Sequence, residues 1–125
     1  MIDIHNHIFP KIDDGSRSLE MSIKMLKNAF EQGVTDVVNT VHYQHPLFPN
    51  IEYSLQRFMK IAKSLESELR KRERLINIHL GSEVFYHDNL LELIDEPIAT
   101  LGKGKYMLIE FSPHHIPSSQ RKVLF

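Results

Sequence analysis

The sequence predicts an α/β fold built on about four parallel strands with helices between them. Two observations carry this. Short apolar or β-branched runs alternate with longer segments whose apolar residues recur at helical spacing. That alternation implies βαβ units, a parallel sheet and right-handed crossovers. In addition, His and carboxylate side chains stand at the ends of successive strands, where α/β proteins place their chemistry.

The elements follow in order. Ile2 to His5 is a short strand running into His5-Asn6-His7, and Pro10 to Ser16 is a loop rich in turn formers. Ser18 is a suitable helix N-cap. Behind it, Leu19, Ile23, Leu26 and Phe30 make one apolar stripe, and Gly33 supplies the left-handed stop. Val34 to Val41 is a β-branched run expected to form a buried strand, with His42 just past its end. His42 to Asn50, which holds Pro46 and Pro49, is a loop. A second helix is expected over Ile51 to Arg74. Its stripe is Leu55, Phe58, Ala62, Leu65 and Leu69, opposite a charged, solvated face of Lys60, Lys63, Glu66 and Arg70. Ile76 to Leu80 is the third strand, ending at Gly81-Ser82-Glu83. Asp88 to Ile94 reads as a short helix stopped before Pro97, and Tyr106 to Phe111 as the fourth strand. Ser112 to Pro117 is a loop, and Ser118 or Ser119 is the expected N-cap of a further helix.

Composition narrows the function classes. The 125 residues suit one small domain, and the formal charge of -1 lacks the basic excess of a nucleic-acid or membrane-surface protein. Neither nucleic acid nor membrane insertion is therefore expected. No cysteine is present, which excludes disulfide and thiolate chemistry and fits a reducing cytoplasm. No apolar run reaches the ~18 residues of a membrane span, and no signal peptide is visible. Eight histidines are many for this length and point to metal or proton chemistry.

The candidate ligands lie in short segments. In extended chain side chains alternate faces, so His5 and His7 point the same way and can grip one ion. Asp13-Asp14-Gly15 alone is a common turn sequence. Following the His-x-His, it is expected to return one carboxylate to the site, Asp14 in preference to Asp13. His42 follows a buried strand, and His45 is a loop residue or a group that supports a ligand. Glu83 and Glu110 are candidate ligands. Glu110 is flanked by Met107, Leu108, Ile109 and Phe111, so its charge needs a metal or a basic side chain beside it. His114 and His115, adjacent and hence pointing apart, are rim residues; His79 and His87 are structural or surface. Imidazole and carboxylate without thiolate suit Mn, Fe or Zn. Ions bridged by Glu would activate water and clamp a phosphoryl oxygen. No Ser-His-Asp triad, Cys-x5-Arg nucleophile or Gly-rich phosphate loop competes with that chemistry.

These segments resemble the polymerase-and-histidinol-phosphatase (PHP) superfamily. The likeness is strongest to its bacterial manganese-dependent protein-tyrosine phosphatases of capsule and exopolysaccharide operons. It rests on Met1 to His7, Ile12 to Gly15, Gly33 to Val38, Thr40-Val41-His42, Gly81-Ser82-Glu83 and Leu108 to Ser112, in order along the chain. The resemblance implies a distorted (β/α)7 barrel of which this single PHP-type domain, residues 1–125, forms a partial copy. It implies a multinuclear Mn2+ site, with Fe or Zn as alternatives, held by His5, His7, Asp14, His42, Glu83 and Glu110. It implies a cytoplasmic enzyme that hydrolyses protein phosphotyrosine by metal-activated hydroxide, on a tyrosine kinase of polysaccharide export. The family pattern includes a later half with another His, an Asp-x-His pair and phosphate-binding arginines. The chain is therefore expected to be truncated at its C-terminus, or to complete its barrel as a homo-oligomer. A histidinol-phosphate phosphatase and a non-catalytic metal-binding remnant are the alternatives; Asp13-Asp14-Gly15 and Glu110-Phe111-Ser112 favour the tyrosine phosphatase.

Overall fold

The computed structural model describes residues 1–116 and 118. The helix expected beyond Ser118 or Ser119 lies outside them. Four strands run in the order β1 (Ile2–Asn6), β2 (Asp36–Tyr43), β3 (Asn77–Phe85) and β4 (Leu108–Glu110), all paired in parallel. Helix α1 (Leu19–Glu31) joins β1 to β2, and α2 (Leu55–Arg70) joins β2 to β3. The β3–β4 connection holds only two short 3-10 turns, Leu90–Leu93 and Leu101–Lys103. The expected helix at Asp88 to Ile94 is thus a single tight turn, as suits a segment with Pro97 close behind it.

Local signals set the helix ends. The Ser18 hydroxyl accepts the Met21 N–H at 3.1 Å. At the far end Gly33 sits at φ +84, with its N–H on the Phe30 carbonyl at 2.9 Å and the Val34 N–H on that of Ala29 at 3.0 Å. That pair of bonds is the Schellman closure, for which glycine is suited because it carries no Cβ. Helix α2 begins at Leu55 and not at Ile51, because Ser54 is the residue that caps it, accepting the Arg57 N–H at 3.2 Å. It ends at Arg70, before Glu73 turns left-handed at φ 57.

The core lies between the helices and one face of the sheet. Phe58, Ala62, Leu65 and Leu69 of α2 and Leu26 of α1 pack on Val37, Val41 and Ile78. Leu19, expected in the α1 stripe, is instead exposed. A smaller cluster of Val84, Tyr86, Leu90, Leu93 and Ala99 gathers where β4 joins β3.

Two strands run further than their composition suggested. β3 continues through Gly81 to Phe85 in unbroken register with β2, from Asp36 opposite Asn77 to Tyr43 opposite Val84. Gly81 does not end the strand. A Cβ there would meet Val38 Cγ1 at 2.9 Å and Leu101 Cδ2 at 3.0 Å, so the glycine admits close neighbours on a paired strand. As a result His42 and Glu83 lie within their strands, directly opposite one another. Strand β4 is shorter than expected, because it pairs only with Glu83 to Phe85.

Candidate metal centre

The site forms at the carboxyl ends of the strands, on the sheet face away from α1 and α2. The chain leaving β1 is pinned by β2 side chains. Asn39 Oδ1 accepts the N–H groups of Ile8 and Phe9 at 2.8 and 2.9 Å, and Thr40 Oγ1 accepts that of Asn6 at 3.1 Å. Between Asp3 and Asn6, β1 advances three residues while β2 advances two, a bulge of the kind that re-aims side chains beside sites. His5 and His7 then bring their Nε2 atoms to 3.4 Å of each other, and both reach Glu83 Oε2 at 3.1 Å.

The Asp13-Asp14-Gly15 loop folds back on His7. The Ser16 N–H reaches the His7 carbonyl at 3.0 Å, and the Gly15 N–H returns to Asp13 Oδ1 at 3.1 Å. A Cβ on Gly15 would lie 2.2 Å from the His7 carbonyl oxygen and 2.4 Å from its Cβ, so this approach requires glycine. The two aspartates diverge. Asp14 Oδ1 faces His42 Nε2 at 3.2 Å from an exposed position. Asp13, with its side chain 1% exposed, accepts His7 Nδ1–H at 2.9 Å and the His42 backbone N–H at 3.3 Å.

His42 is the hinge of the arrangement. It is buried, stacked on Phe48 with ring centroids 4.7 Å apart, and its carbonyl accepts the Tyr53 hydroxyl. Its Nδ1 lies 3.2 Å from Glu110 Oε2 and 3.6 Å from Glu83 Oε2. Both His42 Nδ1 and Glu110 Oε2 are buried with no hydrogen-bond partner. Two facing buried polar atoms without a bond are costly, and a cation between them would satisfy both. Among the described residues the ion pairs of Asp13, Asp14, Glu83 and Glu110 are all with histidines, none with Lys or Arg. The basic neighbour that could have neutralised Glu110 is therefore a set of imidazoles. Four carboxylates converge on four histidines, and neutral imidazoles leave that charge for a divalent ion to offset.

Three sets of residues place ligand atoms within 4.8 Å of one another: His5, His7 and Glu83; His7, Asp14 and His42; His42, His45 and Glu110. The donor set is nitrogen and hard oxygen, which fits Mn, Fe or Zn. The six sequence-predicted positions all come together here. His45 and Asp13 join them. His45 is buried, takes the Leu47 N–H on Nδ1 at 3.1 Å and faces Glu110 Oε1 through Nε2 at 3.4 Å. Neither role was signalled by spacing, although a second carboxylate beside Asp14 and a second histidine three residues after His42 were visible. His114 and His115 are exposed beside the Ser112–His115 bridge and belong to none of the three sets. His79 lies towards the opposite end of the strand on Asp36 at 2.9 Å, and His87 faces the Gln44 carbonyl at 3.3 Å.

Electrostatics follow the geometry. Burial by itself would lower the pKa of His7, but the Asp13 hydrogen bond and the charges of Asp13, Glu83 and Asp14 outweigh it and hold it above the ordinary histidine value. Burial would raise Asp13, yet the His7 bond and the Gly15 and His42 N–H groups pull it below the usual carboxylate range. Burial pushes the Tyr53 hydroxyl up to about 12, so it stays a donor to His42.

A family model described as capsular polysaccharide synthesis, CpsB/CapC, matches residues 1–123. A putative tyrosine-protein phosphatase CapC from Staphylococcus aureus is 35% identical over 118 residues, covering 94% of this chain and 45% of the relative. The tyrosine-protein phosphatase CpsB of Streptococcus agalactiae is 36% identical over 113 residues, covering 90% of this chain and 45% of its own length. The chain thus spans about half the length of the curated relatives it matches. A solved structure superposes with a TM-score of 0.84 at 28% identity, over 98% of this chain and 49% of that one. It is described under YwqE from Bacillus subtilis and CpsB from Streptococcus pneumoniae as metal-dependent tyrosine phosphatases. The four parallel strands and their helices match part of that α/β barrel.

Proposed function

The chain belongs to the CpsB/CapC family of capsular polysaccharide synthesis, and from that premise we propose that it serves a metal-dependent phosphatase acting on protein phosphotyrosine. The observation that carries this is the pair of buried, unbonded atoms facing each other, His42 Nδ1 and Glu110 Oε2, inside overlapping sets of imidazole and carboxylate groups. His5, His7, Asp14, His42, Glu83 and Glu110 are the residues that would hold the ions, with Mn2+ the expected ion and Fe or Zn the alternatives. Bound divalent ions supply Lewis acidity, which lowers the pKa of water and draws charge from a phosphoryl oxygen.

The protein's own groups do the positioning. His5, His7 and Glu83 converge through Nε2, Nε2 and Oε2. His42 reaches Asp14 through Nε2 and Glu110 through Nδ1, and a neutral imidazole offers one lone pair, so it commits to one side. The rings of Phe48 and Phe85 stand beside His42 and His45, apolar neighbours of the kind an aryl phosphate could pack on. The relatives' names support phosphotyrosine protein as substrate; the tyrosine kinase of polysaccharide export and the cytoplasm are what the family resemblance implies. Among the described residues no helix is long and apolar enough to cross a membrane. Ile2 and Ile4 on edge strand β1 are exposed apolar residues that a homo-oligomer would cover.

The test is metal content after Mn2+ loading, together with hydrolysis of a phosphotyrosine peptide by the same sample. Retained Mn2+ with chelator-sensitive turnover is the expected result. A chain that retains no Mn2+, and no Fe2+ or Zn2+ when loaded with those ions in parallel, would refute the metal-centre reading. Retained metal without turnover would favour a metal-binding, non-catalytic unit.

A further inference from the structure

We infer that Asp13 is a positioning residue for this centre: it keeps the His7 proton on Nδ1 and so turns the Nε2 lone pair towards the ion that His5 and Glu83 would share. The inference rests on the metal-centre reading above.

His7 lies between two carboxylates. Asp13 Oδ2 is 2.9 Å from Nδ1, and Glu83 Oε2 is 3.1 Å from Nε2. A neutral imidazole carries one proton, and whichever nitrogen holds it cannot ligate. The two partners are unequal. The Asp13 side chain is 1% exposed and already fixed by the Gly15 N–H on Oδ1 and the His42 N–H on Oδ2. Glu83 Oε2 also lies 3.1 Å from His5 Nε2 and is itself a candidate ligand. The rigid, acceptor-only site is the one that holds the proton. A carboxylate behind a ligating histidine sets its tautomer and ring angle and strengthens it as a donor to the metal.

Asp13 also links two ligand-bearing elements. Pairing of β1 with β2 stops at Asn6 and Asn39, so beyond it the His42 N–H has no β1 carbonyl to meet. Asp13 takes that N–H with the same oxygen that takes His7. One carboxylate thereby fixes the loop after β1 against the end of β2. Asp14, exposed and directed to His42 Nε2, has no such function.

Asp13→Asn separates this role from packing. The amide keeps the side chain's shape and an oxygen for the Gly15 N–H. In that pose its NH2 group points donors at His7 Nδ1 and the His42 N–H, which drives the His7 proton to Nε2. The experiment measures Mn2+ affinity by chelator competition in the 125-residue chain and its variant. Long-range proton–nitrogen spectra of the Zn2+-loaded chains read which His7 nitrogen is protonated. The expected result is a wild-type His7 protonated on Nδ1 and a variant whose Mn2+ affinity falls about 10–100-fold with the His7 proton moved. Wild-type affinity and an unmoved proton in the variant would overturn the inference. A wild-type His7 protonated on Nε2 would do so even if the variant fails to fold. A wild-type chain that binds neither ion would overturn the metal reading itself, a separate failure.

Discussion

Gly15→Ala puts one methyl group where the structure has no room for it. The added Cβ would lie 2.2 Å from the His7 carbonyl oxygen, 2.4 Å from its Cβ and 3.0 Å from its carbonyl carbon. Gly15 is not among the positive-φ residues, so the cost is steric and not conformational. The obstructing atoms are backbone and Cβ, which cannot rotate away. The loop must retreat by about 1 Å to reach ordinary contact distance. A shift of that size breaks the Ser16 N–H bond to the His7 carbonyl and lengthens the Asp13–His7 bond. Overpacking costs ~1–3 kcal/mol and a lost buried hydrogen bond ~1–3 kcal/mol, and partial relaxation leaves a total of about 2–4 kcal/mol. Urea unfolding of the metal-free chain measures it. The same displacement carries both aspartates off the site, so Mn2+ affinity falls with stability. An alanine variant within about 0.5 kcal/mol of wild type, binding Mn2+ equally well, would refute the close-approach argument for this loop.

Other outcomes follow from the same structure. Leu65→Ala, at a fully buried position, lowers stability by about 2–5 kcal/mol, whereas Leu19→Ala, at an exposed one, changes it by no more than about 0.5 kcal/mol; urea midpoints separate them. Glu110→Gln leaves the metal-free fold within about 1 kcal/mol of wild type, because the half-buried side chain keeps its shape and Oε2 has no hydrogen bond to lose, yet it lowers metal affinity in a calorimetric titration. The Asp13–His7 pair gives the metal-free chain a stability maximum in pH. Raised His7 contributes fully below its unfolded pKa of ~6.5 and is lost as pH climbs through its folded value; lowered Asp13 contributes above ~3.9 and is lost as pH falls through its folded value. Thermal melts from acid to alkaline pH show this maximum between those limits, and Asp13→Asn removes it. Metal binding has the opposite slope, since a proton on His7 competes with the ion, so Mn2+ affinity rises through neutral pH.

The local features were legible because they depend on a few adjacent residues. Ser18 as a cap, Gly33 as a left-handed stop and the α2 stripe need only helical periodicity and backbone sterics. The start of α2 was misplaced because Ile51, read as part of the helix, packs on the core from a loop, while Ser54 offers the cap. β3 was cut short because a glycine inside a run of apolar residues looks like a terminator unless its neighbours are known. What Gly81 admits is Val38 from one strand and Leu101 from a later turn, and neither is local.

By itself the sequence determined the alternation of strands and helices, the residue types able to hold a metal, and the face each strand residue shares with its second neighbour. Those follow from a side-chain period of two in strands and 3.6 in helices. The tertiary structure alone decided which residues meet. Register set His42 opposite Glu83 and Phe85 opposite Glu110. The fold-back of one loop sent Asp13 inward to His7 and left Asp14 at the surface facing His42. Burial then brought His45 from a loop to Glu110. A period shows which way a side chain points but carries no distance between segments far apart in the chain, such as those of His7 and Glu83, 76 residues apart. That distance comes only from the packed sheet.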